Sequence, residues 1–390
     1  MKLNTPYYII HKKELDENFK NLKEALEKHW NNYIIGYSYK TNALPWIIKH
    51  FYHLGCYAEV VSEEEYDLAK LVTNDNKAII YNGPIKTKDT FIEALGNDCI
   101  VNIDSQREIE WLSAIEARKK KVGIRVNFDI EKYCPGQSQC PEEGGRFGFC
   151  YENRELEKAI DKIKLAGAEI IGIHLHTSSK SRGLDVYRVL ANVACELQER
   201  FGLDLEYVDI GGGFFGGLSD KPQFGDYFAL IESILSRRFD KSKTKIIIEP
   251  GMSVIGAPIS YVTTVIDVKE TNYNRFVITD GSRTNIDPFM TKSSYFHSYE
   301  TENEQELSPL QIICGYTCME HDRLYVAKNE PCLKVGDRVI YYKVGAYTMC
   351  LTPLFIKYLS DVYLEENGEM RLIRKAWKPR EYIVNSIIEE

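Results

Sequence analysis

Between about residues 13 and 255, short β-rich apolar runs alternate with amphipathic helical stretches, and this alternation constrains the fold more than any other feature of the chain. Eight strands are expected, at Asn32–Tyr39, Tyr57–Val61, Ala78–Gly83, Cys99–Asp104, Val122–Asn127, Glu169–His176, Glu206–Gly213 and Lys245–Pro250. Between them run helical patterns with a single apolar stripe. Val186, Leu190, Val193, Leu197 and Phe201 recur at helical spacing, as do Leu15, Phe19, Leu22 and Leu26. Strands that alternate with helices pair in parallel, because a parallel return needs a crossover. Eight strands in roughly 250 residues match a closed (β/α)8 TIM barrel in number and size, with an open doubly wound sheet as the alternative.

After Pro250 the helical period disappears. Ile259–Lys269, Arg275–Asp280, Leu310–Gly315, Arg323–Ala327, Asp337–Lys343 and Tyr358–Leu364 read as strands, with a turn at Asn367-Gly368. The expected organisation is therefore a barrel over residues 13–255 and a C-terminal, mostly antiparallel β domain over 256–390 together with 1–12. A chain of 390 residues is long enough for two cores. Its 49 basic and 57 acidic residues leave a net charge of −8, which argues against general binding to nucleic acid or to anionic membranes. No apolar run is long enough to span a bilayer, and the start MKLNTPYYIIHKKELDENF has charges where a signal peptide needs an apolar core. A cytoplasmic protein is expected. Ten cysteines are scattered without a secreted-domain framework. Cys134, Cys140 and Cys150 fit no common zinc spacing, so they read as reduced thiols and no metal site is expected.

Barrel enzymes work at the carboxyl ends of their strands. Here those ends carry Lys40, Glu59, Asn82, Asp104, Arg125, His176, Gly211-Gly212-Gly213 and Glu249, a set dominated by ionisable groups and glycines. The run from Asp209 to Gly216 contains G-x-G-x-x-G, but it follows the seventh strand and opens no helix. Its place matches a barrel phosphate site, where glycines let backbone N–H groups approach phosphate oxygens. A plain tight turn and a nicotinamide site are the alternatives. Lys40 is a candidate nucleophilic amine, set against a surface lysine. Glu249 follows three isoleucines and needs a cationic or N–H partner, such as a protonated pyridine nitrogen or a salt bridge within the barrel. His174 and His176 flank Leu175 and are read as facing opposite sides of the sheet, so that only one enters the mouth. A phosphate cradle, a Schiff-base lysine, a ring-nitrogen carboxylate and a stacking histidine together describe pyridoxal 5'-phosphate.

On these residues the chain resembles the fold-type III pyridoxal-phosphate decarboxylases, the group that contains ornithine and diaminopimelate decarboxylases and is related to alanine racemase. The resemblance runs in order from about Tyr33 to Tyr347. Tyr-x-x-Lys-x-Asn at Tyr37–Asn42 is similar to the cofactor-lysine motif, which implies Lys40 as the Schiff-base residue. The segment Ala58–Glu65 implies acidic groups near it, Glu59 and Glu65. Gly-Ile-Arg-Val-Asn implies an active-site role for Arg125. His-Leu-His-Thr-Ser-Ser implies that His176 stacks on the ring and Ser179 holds phosphate. Asp-Ile-Gly-Gly-Gly-Phe implies phosphate contacts from Gly211, Gly212 and Gly213, and Glu-Pro-Gly implies the ring-nitrogen carboxylate in Glu249. In the β domain, Gly-Ala-Tyr implies a phosphate contact from Tyr347. Gly315–Asp322 is similar to the segment whose cysteine, Cys318, protonates the intermediate from the second subunit, which implies a homodimer with shared active sites.

Three positions depart from the family's pattern. Met252 stands where an arginine is usual after Glu-Pro-Gly. Met319 stands where an acid contacts the substrate amine, with Glu320 displaced by one. Asp287, in the run Asp280–Pro288 that also holds Arg283, stands where an arginine would grip a distal carboxylate. Asp322, Arg283, Asp287 and Glu320 are the candidate substrate contacts. A site built for one polar group rejects substrates lacking it. The expected function is therefore decarboxylation of an amino acid or amino-acid conjugate in a specialised pathway, such as siderophore or polyamine assembly. The alternatives are diaminopimelate decarboxylation in lysine biosynthesis and amino-acid racemisation.

Overall fold

A computed structural model describes residues 3–115, 120–301 and 306–388. The chain divides into two compact units, Phe19–Ser253 and Met1–Asn18 with Val254–Glu390.

The first unit is the barrel. Its strands are β1 (Tyr33–Ser38), β2 (Tyr57–Val60), β3 (Ile79–Tyr81), β4 (Ile100–Ile103), β5 (Lys121–Asn127), β6 (Glu169–His174), β7 (Tyr207–Asp209) and β8 (Lys245–Ile248). They are all parallel, in the order β4-β3-β2-β1-β8-β7-β6-β5, and the pairing of β4 with β5 closes the ring. A two-residue strand, Phe149–Cys150, adds to the edge of β5. The helices cover the outside because of their stripes. In Leu184–Phe201, Val186, Leu190, Val193 and Leu197 are buried, and Tyr187 meets Tyr227 of the helix Phe224–Leu235 edge to face at 4.7 Å.

β6 and β7 stop earlier than the sequence pattern predicts. Gly211 and Gly213 have φ of +69° and +91°, which ends the extended run and leaves His176 and the glycines in loops at the mouth. Inside the barrel the ring of Tyr207 crosses toward β5 and β6, and its hydroxyl donates to Asn102 at 2.7 Å. A Cβ on Gly172 would lie 2.0 Å from that ring, so β6 must carry glycine there.

A buried ion pair braces the loops after β3 and β4. Lys86 Nζ donates to the carbonyls of Gly83 and Asn102 at 2.7 and 3.0 Å and to Glu108 Oε2 at 3.1 Å, with both side chains fully buried. Lys86→Met should cost about 3–5 kcal/mol in urea unfolding, because Glu108 is left charged and unpaired. Adding Glu108→Leu should recover most of that loss; a single variant as stable as the parent would show that the pair does not brace the barrel.

The second unit is a sheet whose main path runs Arg323–Ala327, Gln311–Cys314, Arg275–Thr279, Ile259–Glu270, Tyr7–His11, Asp361–Glu366, Glu369–Arg374. Arg338–Tyr342 pairs with both Ile259–Glu270 and Phe296–Glu300. The pairing is mostly antiparallel. Two neighbouring pairs are parallel, Tyr7–His11 with Asp361–Glu366 and Arg275–Thr279 with Gln311–Cys314. Phe296–Glu300, a strand the sequence pattern does not predict, is half-exposed and polar, so no apolar run marks it, whereas the equally unpredicted Tyr7–His11 is apolar and mostly buried but only five residues long.

Candidate active site

The mouth of the barrel gathers side chains from every strand end named above. Lys40 lies on the single 3-10 turn Tyr39–Thr41 that follows β1. Its Nζ donates to Glu59 Oε2 at 2.5 Å. Glu59 is buried at the end of β2 and also accepts from Ser38 Oγ at 2.6 Å and Asn82 Nδ2 at 3.0 Å, so its position is fixed from three sides. Glu65 belongs to the following helix: its Oε2 accepts the Val61 N–H at 2.9 Å while Ser62 Oγ accepts the Glu65 N–H, a reciprocal N-terminal cap. Burial, with Glu59's charge adding to it, pushes the Glu65 carboxyl up to about 7.

Glu249 ends β8 in a buried polar cluster. Asn82 Nδ2 donates to its Oε1 at 2.5 Å, and His174 Nε2 lies 3.5 Å from its Oε2, misaligned for a hydrogen bond. His174, Asp209 and Glu249 bring one polar atom each within 4.8 Å of one another. Two carboxyl groups this close do not both ionise. Burial first, and then the charge of Glu249, raises the Asp209 carboxyl well above its ordinary range. Burial would raise Glu249 as well, but the neighbouring His174 and Lys40 outweigh it and hold Glu249 low. Asp209 therefore keeps its proton and Glu249 carries the charge.

His174 and His176 both face the mouth, against the opposed placement expected from the sequence. Residues two apart on a strand share a face, and the two rings lie 6.3 Å apart, inclined by 27°. His176 Nδ1 accepts the Gly212 N–H at 3.3 Å, which leaves its proton on Nε2. A Cβ on Gly211 would sit 2.5 Å from that Nδ1, so only glycine lets the ring lie there. The ring is partly open to solvent, yet its desolvation, followed by the charge of Arg125, pushes the imidazole down to about 3. It is neutral at any working pH. Arg125 is nearly buried; its Nη1 donates to Asp104 Oδ2 at 3.1 Å and its Nη2 to the His176 carbonyl at 3.4 Å.

The glycine loop supplies donors. Among the described residues, the N–H groups of Gly213, Phe214 and Gly216 have no hydrogen-bond partner. Ser179 stands on the adjacent loop, where its Oγ accepts the Arg182 N–H at 3.1 Å. A reactive amine, a buried anionic carboxylate, a neutral flat ring and unpaired amides match the aldehyde, ring nitrogen, ring face and phosphate of pyridoxal phosphate in kind. These groups fit that cofactor.

Residues 12–256 match the family model of the pyridoxal-dependent decarboxylases, pyridoxal binding domain. The chain belongs to this family. It is a pyridoxal-phosphate-dependent carboxy-lyase. Curated relatives include a diaminopimelate decarboxylase of Aquifex aeolicus, 27% identical with 99% of this chain and 92% of that one covered, and one of Methanocaldococcus jannaschii, 26% identical over 89% and 82%. Among solved structures, the M. jannaschii diaminopimelate decarboxylase superposes with a TM-score of 0.87 at 24% identity, over 99% and 93% of the two chains. A lysine decarboxylase from Selenomonas ruminantium superposes with a TM-score of 0.76 at 23% identity, over 94% and 93%.

In the β unit, the candidate residues fall into two clusters. Asp322 is buried and ties two loops together. It accepts from Ser282 Oγ, from the Arg283 N–H at 2.9 Å, and from the N–H and hydroxyl of Thr317 at 3.1 and 2.6 Å. Asp287 is also buried. Its carboxylate pairs with Arg283 at 3.0 Å and accepts from Tyr295 Oη at 3.0 Å and from the N–H groups of Thr291 and Lys292. Glu320 is exposed beside Arg323, Cys318 is exposed on the same turn, and Tyr347 is half-buried at φ +55°.

Asp209, Asn82 and Asp104 also belong to the cluster at the barrel mouth, although no motif marks a role for them and Asn82 and Asp104 show in the sequence only as strand ends. Their signal was position alone. Nothing local marks the proton on Asp209, because it depends on a carboxylate contributed by the next strand.

Proposed function

We propose that the chain removes the α-carboxylate of diaminopimelate, with its cofactor held by the residues at the barrel mouth. The observation that carries the substrate is the extent of the match: the diaminopimelate decarboxylase of Aquifex aeolicus aligns with 99% of this chain and 92% of its own length. This favours the lysine-biosynthesis alternative over the specialised pathway expected from the sequence.

Lys40 is the residue that holds the cofactor covalently, and Glu59 is the group within reach of its proton. Glu249 faces the ring nitrogen, His176 lies against the ring, and Ser179 with the glycine-loop amides holds the phosphate. When bound, pyridoxal phosphate draws electrons from the substrate's Cα, so that the bond to the carboxylate breaks. The task of the chain is to hold the groups still and control protons. Neutral His176 adds no charge against the ring, Arg125 is fixed by Asp104, and Glu249 stays anionic because Asp209 does not compete for its role. Cys318 then returns a proton to Cα. In our reading it comes from the second subunit of a homodimer, and Tyr347 adds a contact to the phosphate. Exposed apolar side chains at Leu354, Phe355, Ile356 and Tyr382 support such an interface. A cytoplasmic location fits the ten unbridged cysteines. Among the described residues no helix is long and apolar enough to cross a membrane.

A conjugate bearing no distal carboxylate is the second reading, and one observation favours it: Asp287 occupies Arg283, the cation that would otherwise meet such a carboxylate. CO2 release from meso-diaminopimelate, lysine, ornithine and amide-linked amino-acid conjugates separates the two. Diaminopimelate should exceed lysine and ornithine in kcat/KM by at least about 100-fold. A conjugate that exceeds diaminopimelate by a similar factor would overturn the proposal in favour of the second reading.

A further inference from the structure

Arg182 sits in the loop after β6, three residues beyond Ser179, in a left-handed conformation (φ +51°) that a residue with a Cβ rarely adopts. The conformation is pinned from both sides, since the Arg182 N–H donates to Ser179 Oγ at 3.1 Å and its carbonyl accepts from Tyr227 Oη at 2.8 Å. So held, the side chain reaches the end of β8. Its Nη1 lies 2.7 Å from Met252 Sδ, and its guanidinium carbon lies 5.6 Å from the centroid of the Phe215 ring in the glycine loop.

That surrounding is a poor match for a guanidinium. Five N–H donors have a thioether, a weak acceptor, as their one hydrogen-bonding side chain. Among the described residues Arg182 makes no ion pair with a carboxylate. The same loops hold unpaired donors of a second kind, the N–H groups of Gly213, Phe214 and Gly216. The glycine loop also runs against the β8 end, because a Cβ on Gly216 would lie 1.9 Å from the Ser253 carbonyl oxygen. A partly buried guanidinium without a carboxylate partner, a serine and several free amides on neighbouring loops make a receptor for a doubly charged oxyanion.

We infer that Arg182 is a phosphate-binding residue for the cofactor, reaching from the β6 loop the spot at the end of β8 where Met252 stands in place of an arginine. The contact between the Arg182 guanidinium and Met252 places the two side chains in one spot, so a cation from either backbone position serves the same charge. This rests on the cofactor-site reading above, and it adds a residue that the family resemblance does not supply.

The test compares two ligands on apo-protein by fluorescence titration, pyridoxal phosphate and pyridoxal, which has the same ring and aldehyde but no phosphate. Arg182→Met should weaken pyridoxal phosphate by about 10- to 100-fold and leave pyridoxal within about threefold. Arg182→Lys should lose less, since it keeps the charge but not the fork. Introducing Met252→Arg into Arg182→Met should restore most of the phosphate-dependent affinity, and this rescue also shows that the variant folds. Equal losses for both ligands, or no loss for either, would overturn the assignment of Arg182. A parent protein that binds neither ligand would overturn the cofactor site as a whole, a pattern distinct from failure of Arg182 alone.

Discussion

Lys40→Ala is expected to abolish the visible absorption of the cofactor-loaded enzyme and to slow CO2 release by about 10³- to 10⁴-fold. The reason is geometric. Lys40 follows β1 on a single turn, and its Nζ is 2.5 Å from a carboxylate that Ser38 and Asn82 hold in place. An amine must lose a proton before it attacks a carbonyl, and Glu59 is the acceptor at hand. Lys40→Arg keeps the charge beside Glu59 but brings no nucleophile, because a guanidinium does not deprotonate in a protein. It should fail as completely as alanine. Absorption spectra and CO2 release, with circular dichroism to verify folding, check both variants. An alanine variant that keeps its visible band would refute Lys40 as the covalent anchor.

Glu249→Gln should lower kcat by about 10²- to 10³-fold with little change in KM, since a pre-set charge facing the reacting system is removed while the shape is kept. Glutamine can still receive the Asn82 N–H that glutamate accepts at 2.5 Å, so the packing survives. What it lacks is the anion that keeps a proton on a facing ring nitrogen. Asp209→Asn is the discriminating companion. Burial and Glu249 already keep Asp209 protonated, so its replacement by a neutral amide should cost less than about tenfold. If the two variants lose activity equally, the charge is shared between the two acids and the assignment to Glu249 fails. Because the His176 imidazole is pushed down to about 3, neither variant should show a limb from its ionisation above pH 5.

The sequence by itself determined the barrel, because a switch between period two and period 3.6 is local and each strand announces itself within a few residues. It also singled out most of the residues that the structure brings together at the mouth. Lys40, Glu59, Arg125, His176 and Glu249 lie at strand ends, and a barrel sends every strand end to one rim. Contacts between distant positions were not legible. Asn82 donates to a residue 167 positions away, and the pairing of Asp209 with Glu249 exists only because β7 lies beside β8. Only the tertiary structure decided which acid keeps its proton, that Asp287 is occupied by Arg283, and that Arg182 reaches Met252. Charge state and hydrogen-bond capacity depend on burial and through-space distance, and these quantities come into being when the ring of strands closes.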